Sequence, residues 1–234
     1  MLQWFNSGVS SLQHLLFPNF CTVCEQELVA EEAVLCLHCA AALPRTHFTQ
    51  QPHNTTFNQL QARLPLEKAS SLLYFTKEGM VQPLLHALKY QNRPKVGHYL
   101  GALLGQDLKD NNWLGDIDGL IPVPLHPKKE KARGYNQSVL IAEGIEKVTQ
   151  IPLQKNLIKR VRNTSSQTQK TRIERVHNMQ EVFALQQQSI PFKHILIIDD
   201  VLTTGATLEA CALALLSLGS IKISIATIAI AIDT

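Results

Sequence analysis

Four consecutive apolar residues, Ile195 to Ile198, run directly into two carboxylates, Asp199 and Asp200, and then into Val201-Leu-Thr-Thr-Gly-Ala-Thr207. This stretch limits the fold more than any other. An unbroken aliphatic run with no polar alternation is a strand buried on both faces, as in a parallel sheet covered by helices. In open sheets of that kind, ligands bind beyond the carboxyl ends of the strands. Thr203, Thr204, Gly205, Ala206 and Thr207 then open a helix, whose first N–H groups and partial positive charge suit a phosphate. Gly205 lets the backbone come close, and the threonine hydroxyls add donors. Asp199 and Asp200 cannot bind phosphate, but they can accept hydrogen bonds from two neighbouring ribose hydroxyls. A sugar carrying a 5′-phosphate and a free vicinal diol satisfies both halves. The stretch lacks the Gly-x-x-x-x-Gly-Lys-Ser/Thr pattern of nucleoside-triphosphate loops. A capped helix whose Asp pair only makes a turn would not need so many specified positions together.

The rest of the chain supports an α/β reading. Its 234 residues have room for one such domain plus a small module. Residues 66–234 alternate apolar strands with amphipathic helices, which predicts a mostly parallel sheet flanked by helices. Strands are expected at 71–75, 119–123 and 194–198, with a last strand or strands over 221–232. Helices are expected at 80–89, 95–109, 137–147 and 207–218. In the first helix Val81, Leu84, Leu85 and Leu88 share one face. Residues 46–65 are polar and weakly patterned, and read as a linker. The spacing of Leu12, Leu15 and Leu16 suggests a short helix near the start.

Two basic stretches flank the strands. Gly119 to Val123 leads into Pro124-Leu-His-Pro-Lys-Lys-Glu-Lys-Ala-Arg-Gly-Tyr-Asn-Gln-Ser138. A loop of this composition at the same sheet edge can cradle a diphosphate. Arg133 offers a bidentate contact, Gly134 a tight backbone, and Asn136 and Gln137 lie near a helix start. Lys128, Lys129 and Lys131 add field rather than geometry. A second basic segment, 155–177, holds Arg160, Arg162, Lys170, Arg172 and Arg175. It could close over a diphosphate and exclude water, or follow a nucleic-acid backbone. Aromatic residues are sparse within it, so base stacking would have to come from Tyr90 or Tyr135.

Residues 1–45 hold four of the five cysteines, as Cys21-Thr-Val-Cys24 and Cys36-Leu-His-Cys39. Two such pairs, eleven residues apart, predict a tetrahedral four-thiolate Zn²⁺ module, not a disulfide framework. His38 inside the second pair is expected on the surface, and Cys211 in the core of the last helix. The N-terminus has no basic start and no unbroken apolar run, so a signal peptide is not expected. The apolar run at 221–232 is about half the length that spans a bilayer. A soluble cytoplasmic protein without membrane insertion is the expectation.

The 195–207 stretch is similar, position by position, to the phosphoribosyl-diphosphate (PRPP) motif of type I phosphoribosyltransferases. Pro122-Val-Pro-Leu-His-Pro127, Arg133-Gly-Tyr-Asn-Gln137, Arg160-x-Arg-x-Thr-x-x-Gln167, Arg175-x-x-Asn178, Phe183 and the Asp199 loop occur in the order and spacing of the competence protein ComF family. The likeness extends to Leu88-Lys-Tyr90 and the cysteine module. Lys170 departs from the family's usual leucine, and Asn92 from a common glycine. The resemblance implies a type I phosphoribosyltransferase fold with a small N-terminal zinc module of four cysteines. It also implies PRPP bound with Mg²⁺ at Asp199, Asp200, Val201, Thr203, Thr204, Gly205, Ala206 and Thr207. It further implies a role in natural transformation, in which incoming single-stranded DNA is handled together with a helicase-like translocation partner. Two alternatives stay open: a working transferase acting on an unidentified acceptor, and a non-catalytic PRPP sensor. No general base for an acceptor stands out, and His86 reads as helix surface.

Overall fold

The computed structural model describes residues 19–29, 32–161 and 182–232. Strands β1 (Lys68–Phe75), β2 (Gly119–Pro122), β5 (His194–Leu202) and β6 (Lys222–Ala231) form one sheet in the order β1-β6-β5-β2. Every neighbouring pair in it is parallel. A separate antiparallel ribbon pairs β3 (Ile158–Arg160) with β4 (Phe183–Leu185). Strand side chains alternate between two cores. Leu196, Ile198, Ala226 and Ile228 enter one, while Ile195, Ile197, Ile223 and Ile225 enter the other. Burial on both faces accounts for the unbroken aliphatic runs in β5 and β6.

The first core lies under α3 (Val81–Tyr90), α4 (Pro94–Asp110) and α6 (Gln137–Thr149). In α3 the buried residues include Val81, Leu84, Leu85 and Leu88, the face expected from periodicity. Helices α4 and α6 approach closely through glycines. A Cβ on Gly101 would stand 2.8 Å from the carbonyl carbon of Ile141, and one on Gly144 would stand 2.8 Å from the amide nitrogen of Ala102. The second core lies under α2 (Thr55–Gln61), α7 (Ala206–Leu216) and the β3–β4 ribbon. Cys211 is fully buried there, as its position in the last helix predicts.

Three expectations change. The segment 46–65, read as a linker, carries a 3-10 turn (Phe48–Gln50) and α2, and packs on β1. Asn54 caps α2 by accepting from the Phe57 amide, and its own amide donates to the carbonyls of Gln51 and Ala69. Polar side chains that satisfy buried backbone groups look like loop composition in a sequence. The basic stretch after β2 contains helix α5 (Pro127–Arg133). Pro127 at its first position, His126 accepting from Lys128 N–H, and Gly134 at φ +88° end it on both sides. Strand β5 runs on through Asp199 and Asp200 to Leu202, paired with β6. The carboxylates therefore stand on the strand, and the turn proper is Thr203–Gly205. The neighbouring strand β2 stops at Pro122, which has no N–H for the ladder.

A small module built from residues 19–45 joins the first core. Its Leu28, Val34, Leu35 and Leu43 pack in the same cluster as Leu73, Leu84 and Leu88. Its helix α1 (Leu37–Ala41) starts at Cys36, whose sulfur accepts from the Cys39 amide. The predicted helix around Leu12–Leu16 lies outside the described residues. Among the described residues no helix is long and apolar enough to cross a membrane.

Candidate functional site

The sheet brings two loops to one place. Ile198 pairs with Pro122, and the Val123 amide donates to the Ile198 carbonyl at 2.9 Å. The carboxylates that follow Ile198 thus emerge beside the start of the basic stretch. Both are nearly buried, with Asp199 at 7% and Asp200 at 5% exposure. The Ser138 hydroxyl donates to Asp199 Oδ1 at 2.9 Å, and so does the Asp200 amide. Lys89 Nζ lies 2.7 Å from Asp200 Oδ2. Burial is the main influence on Asp199 and the Asp200 charge adds to it. The Asp200 amide, the Ser138 hydroxyl and the Lys89 ammonium pull the other way. The balance pushes the Asp199 carboxyl up to about 7. Two adjacent carboxylates held with one ammonium are poised to accept from paired hydroxyl groups.

Thr203, Thr204 and Ala206 are exposed, so the first turn of α7 opens to solvent. Gly205 caps it at φ +77°. A Cβ there would stand 2.7 Å from Leu60 Cδ2 and 2.9 Å from Arg63 Nη2, so glycine is required both for the left-handed backbone and for the space. The turn is held from behind by α2. Gln59 donates to the Thr203 carbonyl, Arg63 donates to the Thr204 carbonyl at 2.8 Å, and Arg63 also pairs with Glu209 at 2.8 Å. Within the turn, the Thr204 hydroxyl accepts from the Ala206 amide at 3.4 Å. Val201 is half-buried on the strand and Thr207 half-buried in the helix.

The basic stretch is anchored beside this turn. Asn136 caps α6 by accepting from the Ser138 amide, and its side-chain amide donates to the Val123 carbonyl at 2.9 Å. Gln137 accepts from Arg133. Asn136 and Gln137 are both buried. The Arg133 guanidinium lies over the Tyr90 ring at 5.7 Å. The Tyr135 hydroxyl donates to the Leu88 carbonyl at 2.6 Å, which fixes the stretch to the end of α3. Gly134 is exposed at its helix end, and Lys128, Lys129 and Lys131 are exposed along α5. Arg160, expected in a segment that could close over a diphosphate or follow a nucleic-acid backbone, is half-buried at the end of β3. Its guanidinium lies over Phe183 at 5.6 Å. Burial lowers its pKa, and the Asp199 charge opposes that shift. Arg162, Lys170, Arg172 and Arg175 lie outside the described residues.

Sequence reasoning missed Lys89, Ser138, Gln59 and Arg63. Lys89 sits inside the Leu88-Lys-Tyr90 signature, and Ser138 directly follows Asn136-Gln137, so both had a local signal. Gln59 and Arg63 had none, because they reach the turn from a segment that reads as a linker. His86 is exposed on α3, as its helix-surface reading has it.

The four cysteines converge. The sulfurs of Cys21, Cys24, Cys36 and Cys39 all lie within 4.8 Å of one another, and the Cys24–Cys36 separation is 3.7 Å. Four sulfurs about 2.3 Å from one ion stand roughly 3.8 Å apart. Burial pushes the Cys21 thiol up, but the amides of Cys24, Cys36 and Val23 outweigh it and bring it down to about 6. The cluster can hold a metal such as zinc, and among the described residues all the cysteines are free thiols.

Comparison with known proteins agrees with this geometry. Residues 136–233 match the phosphoribosyl transferase domain. Competence protein F of Haemophilus influenzae is 26% identical over 217 residues, 91% of this chain and 90% of that protein. The DNA utilization protein YhgH of Escherichia coli K12 is 26% identical over 226 residues, 90% of this chain and 96% of that protein. Competence protein ComFC of Bacillus subtilis is 35% identical over 100 residues, which cover 43% of this chain and 39% of that protein.

Proposed function

The chain belongs to the competence protein F family and has a phosphoribosyltransferase fold, and from that premise we propose that it handles incoming single-stranded DNA in natural transformation through a domain that binds PRPP. The observation that carries the ligand is the buried Asp199–Asp200 pair on β5, one turn before the open N-terminus of α7. The carboxylates accept from the ribose hydroxyls. The amides of the Thr203–Thr207 turn, with the hydroxyls of Thr203 and Thr204, take the 5′-phosphate. Arg133, at the end of α5, takes the diphosphate. Ser138 and Lys89 position the two carboxylates. Mg²⁺, when bound with PRPP, supplies charge on the diphosphate oxygens. Zinc at the four cysteines holds the N-terminal module in shape. The names of the relatives and the exposed lysines of α5 support the DNA role, and the family resemblance adds a helicase-like partner.

Calorimetry with PRPP and Mg²⁺ tests the ligand. The double variant Asp199→Asn with Asp200→Asn should bind at least about tenfold more weakly, since each lost hydrogen bond to a charged group is worth about 1.5–3 kcal/mol. Equal affinity in wild type and variant sinks the site. The DNA role is tested separately with a labelled oligothymidylate, whose binding should weaken steeply as salt rises. Absence of binding at low salt removes that half of the reading.

A further inference from the structure

The surface between the cysteine module and the PRPP pocket carries three exposed rings, Phe20, His86 and Tyr90, of which Tyr90 lies under the Arg133 guanidinium. On α3, Val81, Leu84, Leu85 and Leu88 face the core, which turns His86 and Tyr90, one helical turn apart, outward together. Their rings contact each other with centroids 5.2 Å apart. Tyr90 is 71% exposed, and Phe20, next to the first cysteine, is 48% exposed. Phe20 and His86 line one groove of about 640 Å³ with Arg93 and Glu25. Across the His86–Tyr90 ridge a second groove is lined by Tyr90, Lys89, Lys129 and Arg133. The two grooves together hold four cations and a single acid, Glu25. Isolated exposed aromatic residues are ordinary. Here three exposed rings share two grooves with four cations, one of which, Arg133, already lies over Tyr90.

We propose that Phe20, His86 and Tyr90, flanked by Arg93, Arg133 and Lys129, form a stacking track for single-stranded nucleic acid that runs from the cysteine module to the mouth of the PRPP pocket. The proposal rests on the DNA reading above and gives it a location. Rings that face solvent can stack only on bases that are already unpaired, so a duplex does not fit them. The cations flank the rings, where a backbone threading past stacked bases carries its phosphates. The track ends at Lys89, whose ammonium already contacts Asp200. A strand lying on it therefore brings its last nucleotide next to the ribose pocket, and DNA and PRPP occupy adjoining sites.

The test is fluorescence anisotropy of a labelled oligothymidylate on the zinc-loaded full chain. Tyr90→Ala and Phe20→Ala should each weaken binding by about five- to a hundredfold, the usual effect of removing one stacking ring. Tyr90→Phe should restore it. Arg93→Gln should lower the steepness of the salt dependence, which Phe20→Ala leaves unchanged. Phe20→Ala should also leave zinc content and PRPP affinity as in wild type. If wild type binds the oligothymidylate and both alanine variants bind it equally well, the track is wrong while the DNA reading stands. If wild type fails to bind at low salt, the DNA reading falls and the track with it. Equal competition by a duplex of the same length would also overturn it.

Discussion

Asp199 shows at the scale of one residue how burying a carboxyl opposes stability. Its folded pKa is raised from the ordinary 3.8 to about 7. The folded chain thus holds a proton that the unfolded chain has already released over that range. The stability this residue contributes is complete below about pH 4, declines as pH rises toward 7, and is gone above it. Wild type should therefore lose thermal stability between pH 5 and pH 8 relative to Asp199→Asn, which carries no charge at that position. Parallel melting curves of the two proteins across that range check this. Lys89 acts on the same pair. Lys89→Met leaves Asp200 with an uncompensated buried charge and should cost about 3 kcal/mol at pH 8. The cost should shrink at pH 5, where one carboxyl of the pair carries a proton. A denaturant titration at each pH measures the difference.

At the scale of elements, the α4–α6 contact has the least room. Gly101 and Gly144 let the two helix backbones approach so closely that any side chain at either position meets main chain rather than a movable side-chain end. Gly101→Val should destabilise the protein by about 3 kcal/mol or more, in the upper range for overpacked cores, although valine is also only a modest helix former. Chemical denaturation will show it. The consequence reaches the site, because α6 begins with Asn136 and Ser138, and Ser138 holds Asp199. A displaced α6 should thus weaken PRPP binding without any change in a residue that touches the ligand. The Asn92 turn is a smaller case. Asn92 adopts φ +51°, a left-handed conformation that asparagine tolerates better than most residues.

At the scale of the molecule, the cysteine module is continuous with the domain. Its Leu28, Val34, Leu35 and Leu43 share one core with α3, α4 and the sheet. Removing the metal should therefore lower the midpoint of one cooperative transition rather than produce a separate early one. Calorimetric scans with and without a zinc chelator distinguish the two outcomes. Cys21→Ser with Cys24→Ser should reproduce the chelator's shift and abolish zinc release.

The sequence alone was enough for what depends on neighbouring residues. The aliphatic run before Asp199, the glycine and threonines after Asp200, the period of α3 and α4, and the paired cysteines each state a local requirement of backbone, burial or ligand spacing. Those requirements specify a parallel α/β domain with a glycine- and threonine-rich turn opening a helix, and a four-sulfur cluster. Tertiary structure decided what depends on distant segments meeting. It placed Lys89 on Asp200, Ser138 on Asp199, Gln59 and Arg63 behind the turn, and Phe20 and His86 on one groove. It also bonded Asn136 to the Val123 carbonyl and Arg133 to Gln137, and laid the Arg160 guanidinium over Phe183. A polar side chain reads the same in a sequence whether it meets a ligand, a carbonyl or water. Only the packing of the sheet and its two helical layers assigns its partner.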